Sequence, residues 1–306
     1  GGHHNMTVGF NGVFPILPTP FRPDESIDLA SYARMVSFMR QLGVDGITIL
    51  GVLGEANRLT DTERDAIIQT AIEAAGELTV VVGTSHSGTH ASIQLGEMAA
   101  SHGASAVMVT PHHEAVHNEQ RIFEHLSAIC RSSTLPVALQ DHPGSTGVHM
   151  SLALVQRLLE SEQNIACVKQ EALPSPQRIQ ALRSFTDVPI LTGLGALYGA
   201  FELRAGGNGF MTGFAFPEIL QAMHRAQIDG DENRLWSMYR EYLPLIVFEQ
   251  QPGVAVRKEI FRRRGLIDHG HVRGPAAGLN PLAKDQLDQL VSRVFATTNI
   301  TEPLSL

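Results

Sequence analysis

"NIACVKQEALPS", residues 164–175, decides how the rest of the chain is read. Ile165, Ala166, Cys167 and Val168 form a short apolar run, and the run ends in Lys169, Gln170 and Glu171. A continuous apolar stretch of this length suits a parallel strand covered on both faces. Side chains alternate along a strand, so Lys169 and Glu171 share one face with Cys167. Burying an ammonium is costly unless something compensates. A lysine at the end of an inward apolar strand is tolerable if desolvation lowers its pKa and frees the amine to attack a carbonyl. The alternative is a Lys169–Glu171 ion pair, or a pairing of Lys169 with a loop.

Working outward, similar runs recur on both sides. They are "GVFPILPTPF" (12–21), "GITILG" (46–51), "TVVVGTS" (79–85), "AVMVTP" (106–111), "PVALQD" (136–141), "PILTGL" (189–194) and "GFMTGF" (209–214). Amphipathic helical patterns lie between them. "DLASYARMVSFMRQLG" stops at Gly43, and "TDTERDAIIQTAIEAAG" opens on Thr60 and Glu63, a capping box, and ends at Gly76. Strand and helix alternating about eight times specify an α/β chain, a TIM (β/α)8 barrel. A doubly wound open sheet is disfavoured because no GxGxxG follows the first strand. The expected organisation is an expression scar at 1–5, a barrel at 6–224 and a C-terminal helical extension at 225–306.

The chain has 306 residues, 43% hydrophobic and 18% charged, with a formal net charge of −8. No basic stripe appears, which argues against nucleic acid as a partner. No apolar run approaches the ~18 residues that span a membrane. No secretory signal follows Met6. The cysteines, Cys130 and Cys167, have neither CxxC spacing nor a disulfide framework, so a reducing cytoplasm is the expected location. There are fourteen histidines. His3 and His4 belong to the scar, and His112, His113 and His117 lack metal-ligand spacing, so no metal is expected.

In such barrels chemistry sits at the C-terminal strand ends. Those ends carry "GVLGEANRLT", "VTPHH", "LQDHPGSTG", "VKQE" and "LTGLG". Together with "GVFPILPTPF", "ASHGASAVMVTPHH", "NIACVKQ" and "GGNGFMTGFAFPE", in this order, they resemble the dihydrodipicolinate synthase / N-acetylneuraminate lyase family of Schiff-base-forming class I lyases. Gly51, Gly54, Glu55, Leu59, Thr60, Glu63 and Arg64 fit its G-[T/S]-[T/S]-G-E…L-[T/S]-x-x-E-R pattern. The resemblance places the family's imine-forming lysine on Lys169. It implies a homotetramer built as a dimer of dimers, with no cofactor.

The departures matter as much. The family's two loop hydroxyls are Val52 and Leu53, leaving backbone N–H groups there, next to Gly54, for a keto-acid carboxylate. Its strand-five tyrosine is Gln140, its following arginine is Ser145, and its tyrosine pair is His112-His113. Glu171, His142 and His112 are candidates to replace the lost proton relay, histidine because its pKa suits acid–base work. Asp141 is expected to cap a loop N–H, and Glu55 to be structural. The resemblance also puts backbone groups near Gly193 and Met211 on the keto-acid pocket. The function expected is a lyase or aldolase acting on pyruvate or another 2-keto acid through a lysine imine. The alternatives are dihydrodipicolinate synthase with a rebuilt relay, or a non-catalytic keto-acid binder.

Overall fold

The computed structural model describes residues 8–251 and 253–306. The reading of 1–5 as a scar therefore lies outside the described residues. Eight parallel strands are present: β1 (Gly12–Val13), β2 (Gly46–Ile49), β3 (Thr79–Gly83), β4 (Ala106–Val109), β5 (Val137–Asp141), β6 (Ile165–Gln170), β7 (Ile190–Thr192) and β8 (Gly209–Phe210). They pair in the order β1-β8-β7-β6-β5-β4-β3-β2. An isolated parallel bridge between Ile16 and Thr48 brings the two ends of that order together, so the sheet closes as a barrel. All eight apolar runs are strands. The first is far shorter than its run of ten residues. Pro15, Pro18 and Pro20 supply no N–H, so the ladder there breaks into β1 and single bridges at Ile16 and Phe21.

The helices are α1 (Leu29–Leu42), α2 (Asp61–Ala75), α3 (Thr89–Ser101), α4 (Glu119–Ser132), α5 (Pro143–Thr146), α6 (Leu152–Ser161), α7 (Ser175–Arg183), α8 (Gly199–Arg204), α9 (Pro217–Ile228), α10 (Glu232–Glu249), α11 (Val254–Arg263) and α12 (Pro281–Phe295). Gly43 ends α1 in the left-handed region at φ 71°. Both halves of the Thr60–Glu63 capping box are made at the start of α2. Residue 224 lies inside α9, which packs on β1. The apolar pattern runs on through 224, and the turn that separates α9 from α10 comes at Gly230.

Two apolar clusters divide the molecule. The larger lies between sheet and helices. The smaller fills the barrel interior with one parity of strand residues, among them Val81, Ala106, Met108, Ala138, Cys167, Leu191 and Met211. Cys167 is fully buried there, and burial pushes its thiol up. Residues of that parity near the C-terminal strand ends face the barrel mouth.

Behind β7 lies a buried carboxyl. Glu202 is fully buried beside the hydroxyls of Ser175 and Thr192, and burial outweighs the downward pull of these hydroxyls on its pKa. Burial raises its pKa from 4.5 to about 7. The fold therefore favours the protonated form. That contribution is complete below pH 4.5 and is lost as pH rises through about 7. Glu202→Gln is expected to flatten stability across this window. Chemical denaturation at pH 5 and pH 8 tests it, and an unchanged slope would refute it.

Candidate active site

β6 delivers Lys169 and Glu171 to the mouth of the barrel on the Cys167 face, 3% and 5% exposed. Lys169 Nζ stands 3.1 Å from Glu171 Oε1. The same oxygen accepts a bond from Gln140 Nε2 at 2.9 Å, and Oε2 accepts the Leu194 N–H at 3.1 Å. Gln140 faces Lys169 across the β5–β6 ladder. So Glu171 is held by three donors from three elements. Burial alone would raise its carboxyl. Lys169, His142 and the bonds from Gln140 and Leu194 outweigh this and hold it below its ordinary value. The Lys169–Glu171 ion pair weighed for this motif is thus present at the barrel mouth, with both partners buried.

Gly193 is where it is because of Glu171. A Cβ there would stand 2.3 Å from Glu171 Oε2, so only glycine lets the loop after β7 approach the carboxylate. The reading of Gly193 as a ligand contact did not include this role. Met211 is fully buried in the interior cluster, and its N–H donates to Thr192 O at 2.8 Å. Its amide proton is committed to the sheet.

His142 follows β5 at the start of α5, and it lies close enough to Glu171 and Lys169 to feel both charges. Burial lowers its imidazole below 6.5, Lys169 adds to this, and Glu171 opposes it. Its Nδ1 pairs with Ser145 Oγ at 2.8 Å. Asp141 does not cap a loop. Its carboxylate pairs with Arg178 at 3.1 Å, and burial raises its pKa. The partner is 37 positions away, beyond what local sequence discloses.

The other candidates are dispersed. Val52 is 62% exposed, whereas Leu53 is buried in the interior cluster. Gly54 is buried, and its carbonyl accepts the Thr19 hydroxyl at 2.7 Å. No hydrogen bond runs from the Val52 or Leu53 N–H to a described residue. Among the described residues no hydrogen bond joins His112 to Lys169, Glu171 or Gln140. His112 lines a separate cleft of about 610 Å³ with His113, His117 and His125. Burial lowers its pKa, His86 adds to this, and Glu114 opposes it. Glu55 is fully enclosed, bonded to Lys258, Arg58 and the Arg273 N–H, which is a structural environment. Burial lowers Lys258 to about 8, against the pull of Glu55. Among the described residues no three side chains cluster as metal ligands, and no helix is long and apolar enough to cross a membrane.

A buried amine, a carboxylate held ionised beside it and a nearby uncharged imidazole can form an imine, stabilise its cation and move protons around it. Comparison with known proteins gives the same direction. The model of the dihydrodipicolinate synthetase family matches residues 9–294. An L-2-keto-3-deoxyarabonate dehydratase of Azospirillum brasilense is 31% identical over 298 residues, covering 95% of this chain and 96% of that protein. A dihydrodipicolinate synthase structure from Rhodopseudomonas palustris superposes with TM-score 0.88 at 32% identity, covering 92% of this chain and 97% of that one. YagE, an E. coli K12 prophage protein of the dihydrodipicolinic acid synthase family solved with pyruvate, gives 0.86 at 28%, covering 93% and 98%.

Proposed function

Because the chain belongs to the dihydrodipicolinate synthetase family, we propose that it is a Schiff-base-forming lyase for 2-keto acids, with Lys169 as the nucleophile. The Lys169–Glu171 pair inside the barrel mouth carries this reading. The amine, after losing a proton, attacks the C2 ketone. The carbinolamine loses water to give a protonated imine. Glu171, ionised beside it, stabilises that cation and takes part in the proton transfers. His142 is the group for the later ones, and Gln140 holds Glu171 in place.

The likeness to a keto-deoxy-acid dehydratase favours elimination over C–C bond formation. In that reaction a proton leaves C3 of the imine to give an enamine. The enamine electron pair then expels the C4 hydroxyl, which leaves as water with a proton from the site. Hydrolysis of the conjugated imine returns the amine. The assembly is a homotetramer of two dimers in the cytoplasm, with the His112-His113 loop near a subunit interface. Light scattering at micromolar protein tests the assembly, and a monomer would count against it.

The test of the whole reading is reduction with borohydride in the presence of pyruvate. The chain has three lysines, Lys169, Lys258 and Lys284. One reduced adduct per chain is expected, mapping to Lys169. No adduct at any pyruvate concentration would leave the binder reading in its place.

Synthase activity is expected to be very weak. With Gln140 and Ser145 where the family has tyrosine and arginine, a loss of about 10²–10⁴-fold follows for one missing acid–base group. Turnover of pyruvate with aspartate semialdehyde near ~10 per second would contradict this.

The pH profile follows from His142. Its neutral form persists below pH 6.5 because burial lowers its pKa. If it serves as the base, the acid limb of kcat lies below pH 6.5, and His142→Gln removes that limb together with most of the rate. A limb unchanged by the substitution would assign it to another group.

A further inference from the structure

We infer that Arg257 binds the carboxylate of the 2-keto acid, in place of the loop hydroxyls missing at Val52 and Leu53. The inference rests on the Schiff-base reading above. Arg257 lies in α11, outside the strand-and-helix repeat that builds the barrel. Val254, one turn before it, packs against the barrel's interior cluster, and Arg257 meets the loops after β7 and β8, so the start of α11 lies at the mouth. The stem of Arg257 and the side chain of Leu53 share the bare face of Gly213. A Cβ there would stand 1.9 Å from Leu53 Cδ2 and 3.5 Å from Arg257 Cδ. The arginine thus sits beside the loop whose Val52 and Leu53 N–H groups have no described acceptor.

The head group meets the loop after β7. A Cβ on Gly195 would stand 2.7 Å from Arg257 Nη2, and Gly195 adopts φ 64°. Two residues earlier the same loop lies against the Glu171 carboxylate, and Leu194 N–H bonds to it. One short loop therefore carries Glu171 on one side and the guanidinium on the other.

One end of the guanidinium is anchored. Arg257 Nε donates to Glu249 Oε1 at 2.8 Å. Glu249 is fully buried and is itself fixed by the Ala215 N–H at 3.2 Å. Among the described residues, neither Nη1 nor Nη2 of Arg257 donates a hydrogen bond. The side chain is 13% exposed, so the guanidinium lies largely within the protein rather than on open surface. A planar guanidinium fixed through Nε presents two parallel donors, the geometry that grips a carboxylate.

The experiment is borohydride trapping on Lys169, titrated with pyruvate and with hydroxyacetone, a ketone without a carboxylate. Arg257→Met keeps the stem and removes the fork. It is expected to raise the pyruvate concentration for half-maximal trapping at least about tenfold, the scale of one charge-assisted contact. Hydroxyacetone should be trapped by wild type and variant alike. The double variant Arg257→Met, Glu249→Gln leaves no buried carboxylate unpaired and should behave the same way if the single variant folds poorly. An unchanged pyruvate titration, or an equal shift for both ketones, overturns the inference and leaves imine formation standing. If wild type traps no pyruvate at all, the Schiff-base reading fails and this inference falls with it.

Discussion

Lys169→Ala is expected to abolish both turnover and pyruvate trapping. The loss should exceed the about 10²–10⁴-fold that a general acid–base group contributes, because the covalent intermediate itself disappears. Lys169→Arg should fail equally. Arginine keeps the charge beside Glu171 but stays protonated and cannot attack a ketone. The pair of variants separates two roles for one side chain. If the ion pair with Glu171 were all that mattered, arginine would rescue and alanine would not. In Lys169→Ala the carboxylate keeps the Gln140 and Leu194 donors, so the barrel should still form. Glu171→Gln should slow turnover more than trapping, because the carboxylate also serves later proton transfers. Mass mapping is simple with three lysines. Lys258 is engaged by Glu55 and by the His271 carbonyl, and is not free to compete. Equal labelling of wild type and Lys169→Ala would place the adduct on another amine and refute the assignment.

The barrel was legible because each strand is buried on both faces and so reads as an apolar run. Where a run contains prolines, as at 12–21, the side chains still pack as a strand but the ladder cannot form, and the sequence overstates the strand. Lys169 and Glu171 were legible from parity alone, since two residues fix a shared face. What parity cannot say is which partners arrive from elsewhere. The Leu194 N–H that holds Glu171 comes from the next strand's loop, and Arg178 reaches Asp141 from α7. The loop at 52–54 shows the same limit. Val52 and Leu53 are equally apolar, yet one is exposed and the other seals the barrel interior. Arg257 carried no signal in the sequence. It lies in a charged helix among several arginines, and only the fold brings that helix to the mouth.

The largest stability effect is expected at Arg264, where the C-terminal extension is joined to the barrel. Arg264 is fully buried. Its two amino groups pair with Glu218 at 2.9 and 2.7 Å, and it also donates to the carbonyls of Ala215 and Ile300, each at 2.8 Å. The guanidinium lies 4.5 Å from the centre of the Phe216 ring. Glu218 opens α9, and its carboxylate accepts the Leu304 N–H as well, so one ion pair holds the loop after β8, the start of α9 and the segment around 300–304. Removing one partner of such a pair leaves a desolvated charge and costs about 3–5 kcal/mol. That is a large part of the about 5–15 kcal/mol by which folded domains are stable. Arg264→Met should therefore shift the urea midpoint far down. Replacing both members, as Arg264→Met with Glu218→Gln, should recover much of the loss, since no unpaired charge remains. A loss below about 1 kcal/mol in the single variant, the range of exposed pairs, would mean that water reaches Glu218. Failure of the double variant to recover would mean that the lost carbonyl bonds to Ala215 and Ile300, rather than the stranded carboxylate, carry the effect.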